Sequence, residues 1–245
     1  MTEPALRLEQ VTYRYPDGRL ALEDATLELP AGACTALIGP NGSGKSTLLT
    51  LLNGIRRPQS GAVFVQGQPV GPRTLSDVRR AVGLVFQDPD VQLFCPTVEE
   101  DIAFGLLNLG LAPGEVRERT TEALAFVGLE DFERRSPFHL SGGEKKLVSL
   151  ATVLAMRPPV LALDEPTANL DAWHRRRVIE VLGRLGGTQV VATHDLDLAL
   201  ELAANAVLLF EHRVVAEGPA AELLRDEALL RRYRLDLPLR LQSDR

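Results

Sequence analysis

The sequence predicts an α/β fold in which a mostly parallel sheet is flanked by helices, with an N-terminal antiparallel β region and an inserted helical region. Three observations predict this fold. Short apolar segments alternate with helical ones after residue 157, and such alternation indicates a parallel sheet. A glycine-rich loop near residue 40 joins an apolar strand to a leucine-rich helix. A helical pattern over 98–132 interrupts the strands.

Composition narrows the class of protein. The chain has 245 residues, of which 45% are hydrophobic, enough for one large domain. Its formal net charge of -6 argues against a nucleic-acid partner, because phosphate backbones are held by clustered Lys and Arg. Cys34 and Cys95 lack ligand-like spacing, so we expect no disulfide or zinc scaffold and a reducing, cytoplasmic setting. No segment approaches the ~20 apolar residues of a membrane-spanning helix, so any transport role requires another chain to cross the bilayer.

Glycine and proline turns delimit the elements of the first 86 residues. A helix is expected to begin near Lys45 and to stop at Gly54, because glycine adopts the left-handed conformation cheaply. Short apolar or alternating runs between the turns predict strands. These strands are expected over 7–15, 25–29, 34–38, 62–66 and 82–86.

The remaining elements divide the chain into parts of one domain spanning 1–245. Helical spacing over 98–132 is broken at Pro113 and ends at Gly128, and a further helix is expected over 143–156. The later strands and helices are expected over 160–163, 172–185, 189–193, 196–204, 206–210 and 213–217. The predicted parts are a core of 1–86 with 157–225, a helical subdomain of 87–156, and a tail of 226–245, helical and arginine-rich at first and then frayed.

The segment from Gly39 to Ser46 matches the phosphate-loop pattern G-x-x-x-x-G-K-[ST]. Its glycines let the backbone wrap a phosphate with N–H groups turned inward, and the next helix points its positive end at the same phosphates. We expect Lys45 to reach the β- and γ-phosphates of a nucleotide, Ser46 to hold Mg²⁺, and Thr47 to lie on the α-phosphate side. A merely flexible Gly-Ser loop is disfavoured by the flanking strand and helix. The predicted nucleotide contacts of the loop are Asn41, Gly42, Ser43, Gly44, Lys45, Ser46 and Thr47.

Two acids follow the apolar run 160–163 directly. Open α/β sheets bind ligands at the carboxyl ends of their strands, where Asp164 and Glu165 are expected to lie. Asp164 suits Mg²⁺, through water, and Glu165 suits a general base that deprotonates the attacking water. The alternative is a pair of solvated acids at a surface strand end, which would be preferred if no phosphate loop preceded them.

The segment Leu140-Ser141-Gly142-Gly143-Glu144 gives the chain its family resemblance. It resembles the signature L-S-G-G-Q of ABC transporter ATPases, and the resemblance extends over nearly the whole chain. The resemblance implies that Ser141, Gly142 and Gly143 contact the γ-phosphate of ATP held by a second cassette, paired head to tail. Two glycines that open a helix also suit an anion site. The structural alternative, which is compatible with this role, is a capping box between Ser141 and Glu144.

Four further positions match motifs of the same family. The resemblance implies that Gln87 senses Mg²⁺ and touches a transmembrane partner, and that Asp171 crosses the dimer interface. It implies that His194 contacts the γ-phosphate and that Tyr15 stacks on adenine. Each residue has an ordinary alternative: a loop amide, a helix N-cap, a surface histidine and a half-buried strand residue. Tyr13 is an alternative to Tyr15 for the adenine contact.

The residues from Gln87 to Phe94, Q-D-P-D-V-Q-L-F, indicate a branch of the family. They are similar to the corresponding loop of cobalt, nickel and energy-coupling-factor vitamin importer ATPases. The resemblance implies a membrane coupling subunit, a substrate-binding membrane subunit and a peripheral position on the cytoplasmic face of the cell membrane. Leu93 and Phe94 are either apolar anchors for the coupling subunit or core residues. The second cassette is either an identical chain or a paralogue.

Two other functions are compatible with the family. One is a soluble ABC ATPase acting on nucleic acid or ribosomes, which usually has two fused cassettes or long coiled-coil arms; neither is present in the sequence. The other is a nucleotide-gated binding module without turnover, against which the intact Lys45, Glu165 and His194 argue.

Overall fold

The computed structural model describes residues 4–242, which form two β-sheets and ten α-helices. The strands are β1 (Leu6–Arg14), β2 (Leu20–Leu29), β3 (Cys34–Ile38), β4 (Ser60–Val65), β5 (Gln68–Pro69), β6 (Val82–Val85), β7 (Val160–Asp164), β8 (Thr188–Ala192), β9 (Asn205–Phe210) and β10 (Arg213–Pro219). The helices are α1 (Lys45–Leu52), α2 (Leu75–Ala81), α3 (Val98–Asn108), α4 (Pro113–Val127), α5 (Gly142–Leu154), α6 (Ala172–Arg184), α7 (Leu196–Leu202), α8 (Ala220–Leu223), α9 (Glu227–Arg232) and α10 (Leu239–Gln242).

The two sheets confirm the predicted α/β class. The N-terminal sheet is antiparallel, with strand order β2-β1-β4-β5. The central sheet has the order β10-β9-β3-β8-β7-β6, in which the strands from β9 to β6 are parallel and β10 alone runs antiparallel. Ala192 pairs with both Leu37 and Asp164. The loop after β3, the acids after β7 and the histidine after β8 therefore leave the sheet at the same edge.

Helices cover both faces of the parallel strands, and this explains why those strands are mostly buried and rich in apolar residues. Helix α1 packs in the cluster between the two sheets, where it buries Leu48, Leu49, Leu51 and Leu52. Helices α3, α4, α5 and α6 pack on the opposite face of β6, β7 and β8 in a second cluster. The phosphate loop thus runs from a buried strand into a buried helix, which fixes both of its ends.

Two elements of the N-terminal part differ from the sequence prediction. Strand β2 begins at Leu20, whereas the sequence predicted a start at residue 25. The first part was missed because Asp24, with a φ of 47°, interrupts the alternation of buried and exposed side chains. Helix α2 was not predicted, since it buries only Val78 and therefore has no apolar stripe of helical period.

The helical insertion begins and ends with recognisable caps. A capping box between Thr97 and Glu100 opens α3, and Pro113 is the first residue of α4 rather than a residue between helices. Gly128, with a φ of 71°, ends α4 as predicted. Among residues 4–242, no helix is both long and apolar enough to span a bilayer.

The prediction of a frayed tail is wrong for 239–242, which form α10. The carboxylate of Asp197 on α7 accepts the N–H groups of Leu239 and Arg240, each at 3.0 Å. The guanidinium of Arg240 also lies 2.6 Å from the carboxylate of Glu201. This anchoring depends on tertiary contacts, which local sequence does not encode. The end of the tail, 243–245, lies outside the described residues.

Candidate functional site

A cleft of about 460 Å³ opens at the carboxyl edge of the parallel strands, beside the phosphate loop. This volume lies within the range of roughly 300–1,000 Å³ that is usual for small-molecule sites. Most of the predicted site residues line it. They are Tyr15, Asn41, Gly42, Gly44, Lys45, Ser46, Thr47, Gln87, Glu165 and His194.

The phosphate loop is braced from within by its own lysine. The ammonium group of Lys45 donates to the carbonyls of Gly39 at 2.7 Å and Pro40 at 3.1 Å. Burial lowers the pKa of Lys45, while the nearby Glu165 and Asp164 favour its charged form. The next residue, Ser46, donates to one of these acids, Asp164, so Lys45 and the carboxylates lie close together at the loop.

Gly44 is required by the packing of the loop. It has a φ of 111°, a conformation that L side chains rarely adopt. A Cβ atom there would also overlap the carbonyl oxygen of Ala21 on β2. Ser43 is buried, and its hydroxyl has no hydrogen-bond partner among the described residues. A phosphate oxygen would satisfy this hydroxyl, so the loop fits the phosphates of a nucleotide.

Ser46 and Asp164 form the oxygen pair expected of a magnesium site. The hydroxyl of Ser46 donates to the Asp164 carboxylate at 2.9 Å, which places two hard oxygen donors side by side. Burial raises the pKa of Asp164, and the hydrogen bond from Ser46 opposes that rise. Within 4–242, no group of three or more His, Cys, Asp or Glu could hold a metal ion by itself. The pair therefore fits Mg²⁺, which commonly completes its shell with waters and substrate phosphates.

Glu165 is fixed from two sides at the end of β7. Its Oε1 atom lies 2.8 Å from Nδ1 of His194 and accepts the main-chain N–H of His194 at 3.0 Å. Its Oε2 atom accepts the hydroxyl of Thr193 at 3.1 Å. Glu165 has a φ of 43°, and such strained non-glycine residues cluster at functional sites. The carboxylate is 8% exposed and the imidazole 56%, so the histidine covers the acid on the solvent side.

The two tyrosines of β1 have separate positions. Tyr13 is buried and accepts a hydrogen bond from Arg56, and it does not line the cleft. Tyr15 lines the cleft, and its hydroxyl lies 2.8 Å from that of Thr47. The guanidinium groups of Arg19 and Arg56 lie 4.8 and 4.7 Å from the centre of the Tyr15 ring. Tyr15 is therefore the tyrosine that is placed to contact a base.

The signature residues 141–143 do not line this cleft. They form the start of α5, where Ser141 and Glu144 make both hydrogen bonds of the capping box. The bonds from Ser141 hold the pKa of Glu144 below its usual range. Space around Gly142 is open, whereas a Cβ atom on Gly143 would overlap the imidazole of His174 on α6.

Gly143→Ala is expected to lower the free energy of unfolding by about 1–3 kcal/mol, because the new methyl group displaces the packed His174 ring. Gly142→Ala is the matched control, since its Cβ atom meets nothing within 4 Å. Urea unfolding of both variants measures the effect. Adding His174→Ala to Gly143→Ala should restore much of the loss, and equal unfolding midpoints for the two alanine variants would contradict the assignment.

Asp171 is the N-cap of α6, as its structural alternative predicted. One carboxylate oxygen accepts the N–H of His174 at 2.9 Å, and the other lies 2.7 Å from Nδ1 of the same residue. These bonds lower the pKa of Asp171. The neighbouring Trp173 is 60% exposed. A cap does not exclude a further role at an interface, so that role remains a prediction.

Sequence reasoning missed three residues near the site. Arg19 and His212 line the cleft from the β1–β2 and β9–β10 connections, and no motif assigns either residue to a nucleotide site. Lys146, on α5, is 1% exposed and donates to the carbonyl of Gln87. Burial lowers the pKa of Lys146 to about 8. Nothing in the sequence around Lys146, which follows the glycines that open α5, indicates that its side chain is buried.

The fold buries Leu93 and exposes Phe94. Leu93 is buried in the helical cluster, so its interpretation as an anchor is wrong. Phe94 is 57% exposed and packs edge-on against Phe104 of α3, with ring centres 5.0 Å apart.

A second cavity, of about 410 Å³, lies at the opposite, amino-terminal edge of β7 and β8. Its floor includes Phe126, Leu154 and Leu161. It contains none of the predicted site residues. The cleft beside the phosphate loop is therefore the site that combines a cradle with the general-base candidate Glu165, and the Ser46–Asp164 pair adjoins it.

This fold, with a phosphate loop between β3 and α1 and acids after β7, defines a nucleotide-binding ATPase of the P-loop class. A family model described as ABC transporter matches residues 22–168. The chain therefore belongs to the ABC transporter family, as an ATP-binding subunit that hydrolyses ATP.

Known relatives cover nearly the whole chain. A putative ABC transporter ATP-binding protein of Gloeobacter violaceus is 51% identical over 243 residues, 98% of this chain and 99% of the relative. An energy-coupling factor transporter ATP-binding protein of Methanocaldococcus jannaschii is 45% identical and aligns over 92% of this chain and 83% of its own length. Among solved structures, cbiO1 of Clostridium perfringens, part of the ABC transporter complex cbiONQ, matches with a TM-score of 0.83 and 36% identity, covering 99% of this chain and 98% of that one.

Proposed function

We propose that this chain powers an ABC importer, in which two cassettes pair head to tail and couple ATP hydrolysis to uptake of cobalt, nickel or a vitamin through separate membrane subunits. The observation that carries the proposal is the separation of the predicted ATP contacts. The cleft is lined by the phosphate loop, Glu165 and His194, and Asp164 is bonded to its lining residue Ser46, whereas 141–143 lie outside it. A second chain, identical or a paralogue, would supply its own residues 141–143 to complete the site.

The cleft residues divide the binding of MgATP between them. Ser46, Asp164 and Gln87 would hold Mg²⁺, which when bound neutralises phosphate charge and polarises the phosphoryl oxygens. Lys45 binds the β- and γ-phosphates. Tyr15 stacks on adenine, and the exposed Arg19 moves aside to admit the base. The backbone and hydroxyl contacts to the phosphates come from Asn41, Gly42, Ser43, Gly44 and Thr47.

Hydrolysis uses the carboxylate that the fold has fixed. Glu165 takes the proton from the attacking water, and His194 holds that carboxylate and the γ-phosphate in line. Lys45 stabilises the charge that develops on the phosphoryl group. Asp171, at the start of α6, contacts the opposite cassette.

The chain acts as one domain with three parts in this proposal. Residues 1–86 and 157–225 bind the nucleotide, residues 87–156 carry the signature and face the membrane subunits, and 226–245 form the tail. The complex lies peripherally on the cytoplasmic face of the membrane. The relatives named as energy-coupling factor and cbiONQ components support this arrangement.

An exposed apolar patch marks the surface that would contact the membrane coupling subunit. It comprises Phe94, Phe104 and Leu107, which are 57%, 49% and 58% exposed. Phe104 and Leu107 lie three residues apart on α3 and therefore share a helix face. Aromatic residues with such exposure are the usual anchors of an interface.

The double substitution of Phe94→Glu and Phe104→Glu is expected to weaken association with the membrane subunits at least ~10-fold, because two apolar anchors become charged. Co-purification from membranes of the native host measures it, with the bound small molecule identified by mass spectrometry. Phe138→Glu is the control, since Phe138 is 62% exposed outside the patch. Recovery of the wild-type chain with nucleic acid or ribosomes, and without membrane subunits, would replace this proposal with the non-transport alternative.

A further inference from the structure

The loop after β6, which contains Gln87, is tied to helix α5 by a buried lysine. The ammonium group of Lys146 donates to the main-chain carbonyls of Phe86 at 3.0 Å and Gln87 at 2.6 Å. Lys146 is 1% exposed and is among the largest fully buried side chains of the described residues. These bonds fix the main chain at the point where the strand gives way to the loop.

A second tie lies one turn further along α5. The side-chain amide of Gln92 donates to the carbonyl of Ser149 and to the hydroxyl of Thr152, each at 2.8 Å. Its oxygen accepts the N–H of Phe86 at 3.2 Å. Gln92 therefore closes the loop 86–92 on itself and joins it to the same helix.

The cost of burying Lys146 shows that its position is specific. A buried ammonium group loses hydration, and two carbonyl acceptors replace it only in part. Its hydrogen bonds go to main-chain oxygens rather than to a carboxylate, while Asp164, Asp88 and Glu165 act on it only at a distance. An apolar residue of the same length would fill the space without that cost, so packing alone does not explain a lysine here.

We infer that Lys146 is a positioning residue for ATP hydrolysis: it holds the main chain at Gln87 to the helix that begins with the signature residues 141–143. The inference rests on the proposed role of Gln87 toward Mg²⁺ and adds the residue that sets its position. Movement of the loop, which leads to the apolar patch at Phe94, is then transmitted to the start of α5. The loop with Gln87, which contacts one nucleotide, and the start of α5, which seals the other, then move as one body.

Lys146→Met tests this inference, because methionine keeps the length of the side chain and removes every donor. We expect the Mg²⁺ concentration for half-maximal ATPase activity to rise about 10-fold. We also expect faster hydrogen exchange of the amides in 86–92 in the nucleotide-free protein. Arg157→Met is the control: it also removes one positive charge, from an exposed residue just past the end of α5 whose ion pair with Glu122 at 2.6 Å involves no residue of the loop 86–92. It should change neither quantity.

The outcomes separate this inference from the function on which it rests. Wild-type exchange and Mg²⁺ dependence in Lys146→Met, with a raised Mg²⁺ requirement in Gln87→Ala, would overturn the inference alone. An unchanged requirement in Gln87→Ala would remove the proposed role of Gln87 and this inference with it. The double variant should need no more Mg²⁺ than Gln87→Ala, and an additive effect would also overturn the inference. If Lys146→Met does not fold, Lys146→Gln, with its shorter donor, is tested in the same assays.

Discussion

Replacing Glu165 with glutamine is expected to lower the rate of ATP hydrolysis at least ~100-fold, because a general base contributes about 10²–10⁴ to the rate and an amide accepts no proton at neutral pH. The fold should tolerate the change. Glutamine keeps an oxygen that can accept from the Thr193 hydroxyl or the His194 N–H, which hold the carboxylate at 3.1 and 3.0 Å. ATP affinity should remain near that of the unmodified protein, since phosphate binding depends on the loop around Lys45.

Single-turnover phosphate release and ATP binding, measured on the same preparation, separate the two effects. Glu122→Gln is the control, because Glu122 forms an ion pair with Arg157 at 2.6 Å far from the phosphate loop. It should leave turnover unchanged. A Glu165→Gln protein that hydrolyses ATP at the normal rate would show that another group activates the water.

The phosphate loop was predictable because its chemistry is local in sequence. The buried strand over 34–38 was predicted with the bounds that β3 has, and the helix begins at Lys45 as expected. The features that predict it lie within about twenty residues: the spacing of the glycines, the apolar strand before them and the leucines after them.

The contacts around Glu165 were predictable in kind but not in detail. Strand ends that carry acids and a histidine are placed at one edge by a parallel sheet, so their proximity follows from topology. The positive φ of Glu165 and the hydroxyl of Thr193 that bonds it depend on how β7 and β8 pair in register. No residue pattern in the chain specifies either.

The residues that sequence reasoning missed depend on long-range packing. Lys146 is buried because α5 lies against the loop at 86–92, and a lysine is among the residues least often buried. His212 reaches the cleft through the β9–β10 hairpin, far along the chain from the phosphate loop. Leu93 and Phe94 are adjacent apolar residues, and only the packing of α3 buries one and exposes the other.

Mixing two inactive variants is expected to restore ATPase activity, because the proposed site takes residues from two chains. Lys45→Ala removes the cation from the phosphate loop, and Gly142→Asp places a carboxylate in the anion site at the start of α5. Space around Gly142 is open, so the aspartate should not disturb the fold. Each variant alone should hydrolyse ATP at least ~100-fold more slowly than the wild type, since both of its sites lack an essential phosphate contact.

In the mixed dimer, one of the two sites combines the intact Lys45 of one chain with the intact Gly142 of the other, while the second site carries both defects. Random pairing at equal concentrations makes half of the dimers mixed, so activity should recover to about a quarter of the wild-type rate in a two-fold symmetric pair. The relevant control puts both substitutions in one chain: Lys45→Ala mixed with Lys45→Ala,Gly142→Asp should stay inactive, because no pairing yields an intact site. Full activity of Gly142→Asp alone would mean that the cleft hydrolyses ATP without residues 141–143 of a second chain. If both single variants are inactive, failure of the first mixture to exceed this control would mean that the natural partner is a paralogue. Repeating the assay with the co-purified cassette, if one is found, tests the paralogue: its intact signature should restore activity at the cleft of the Gly142→Asp chain but not at the cleft of the Lys45→Ala chain.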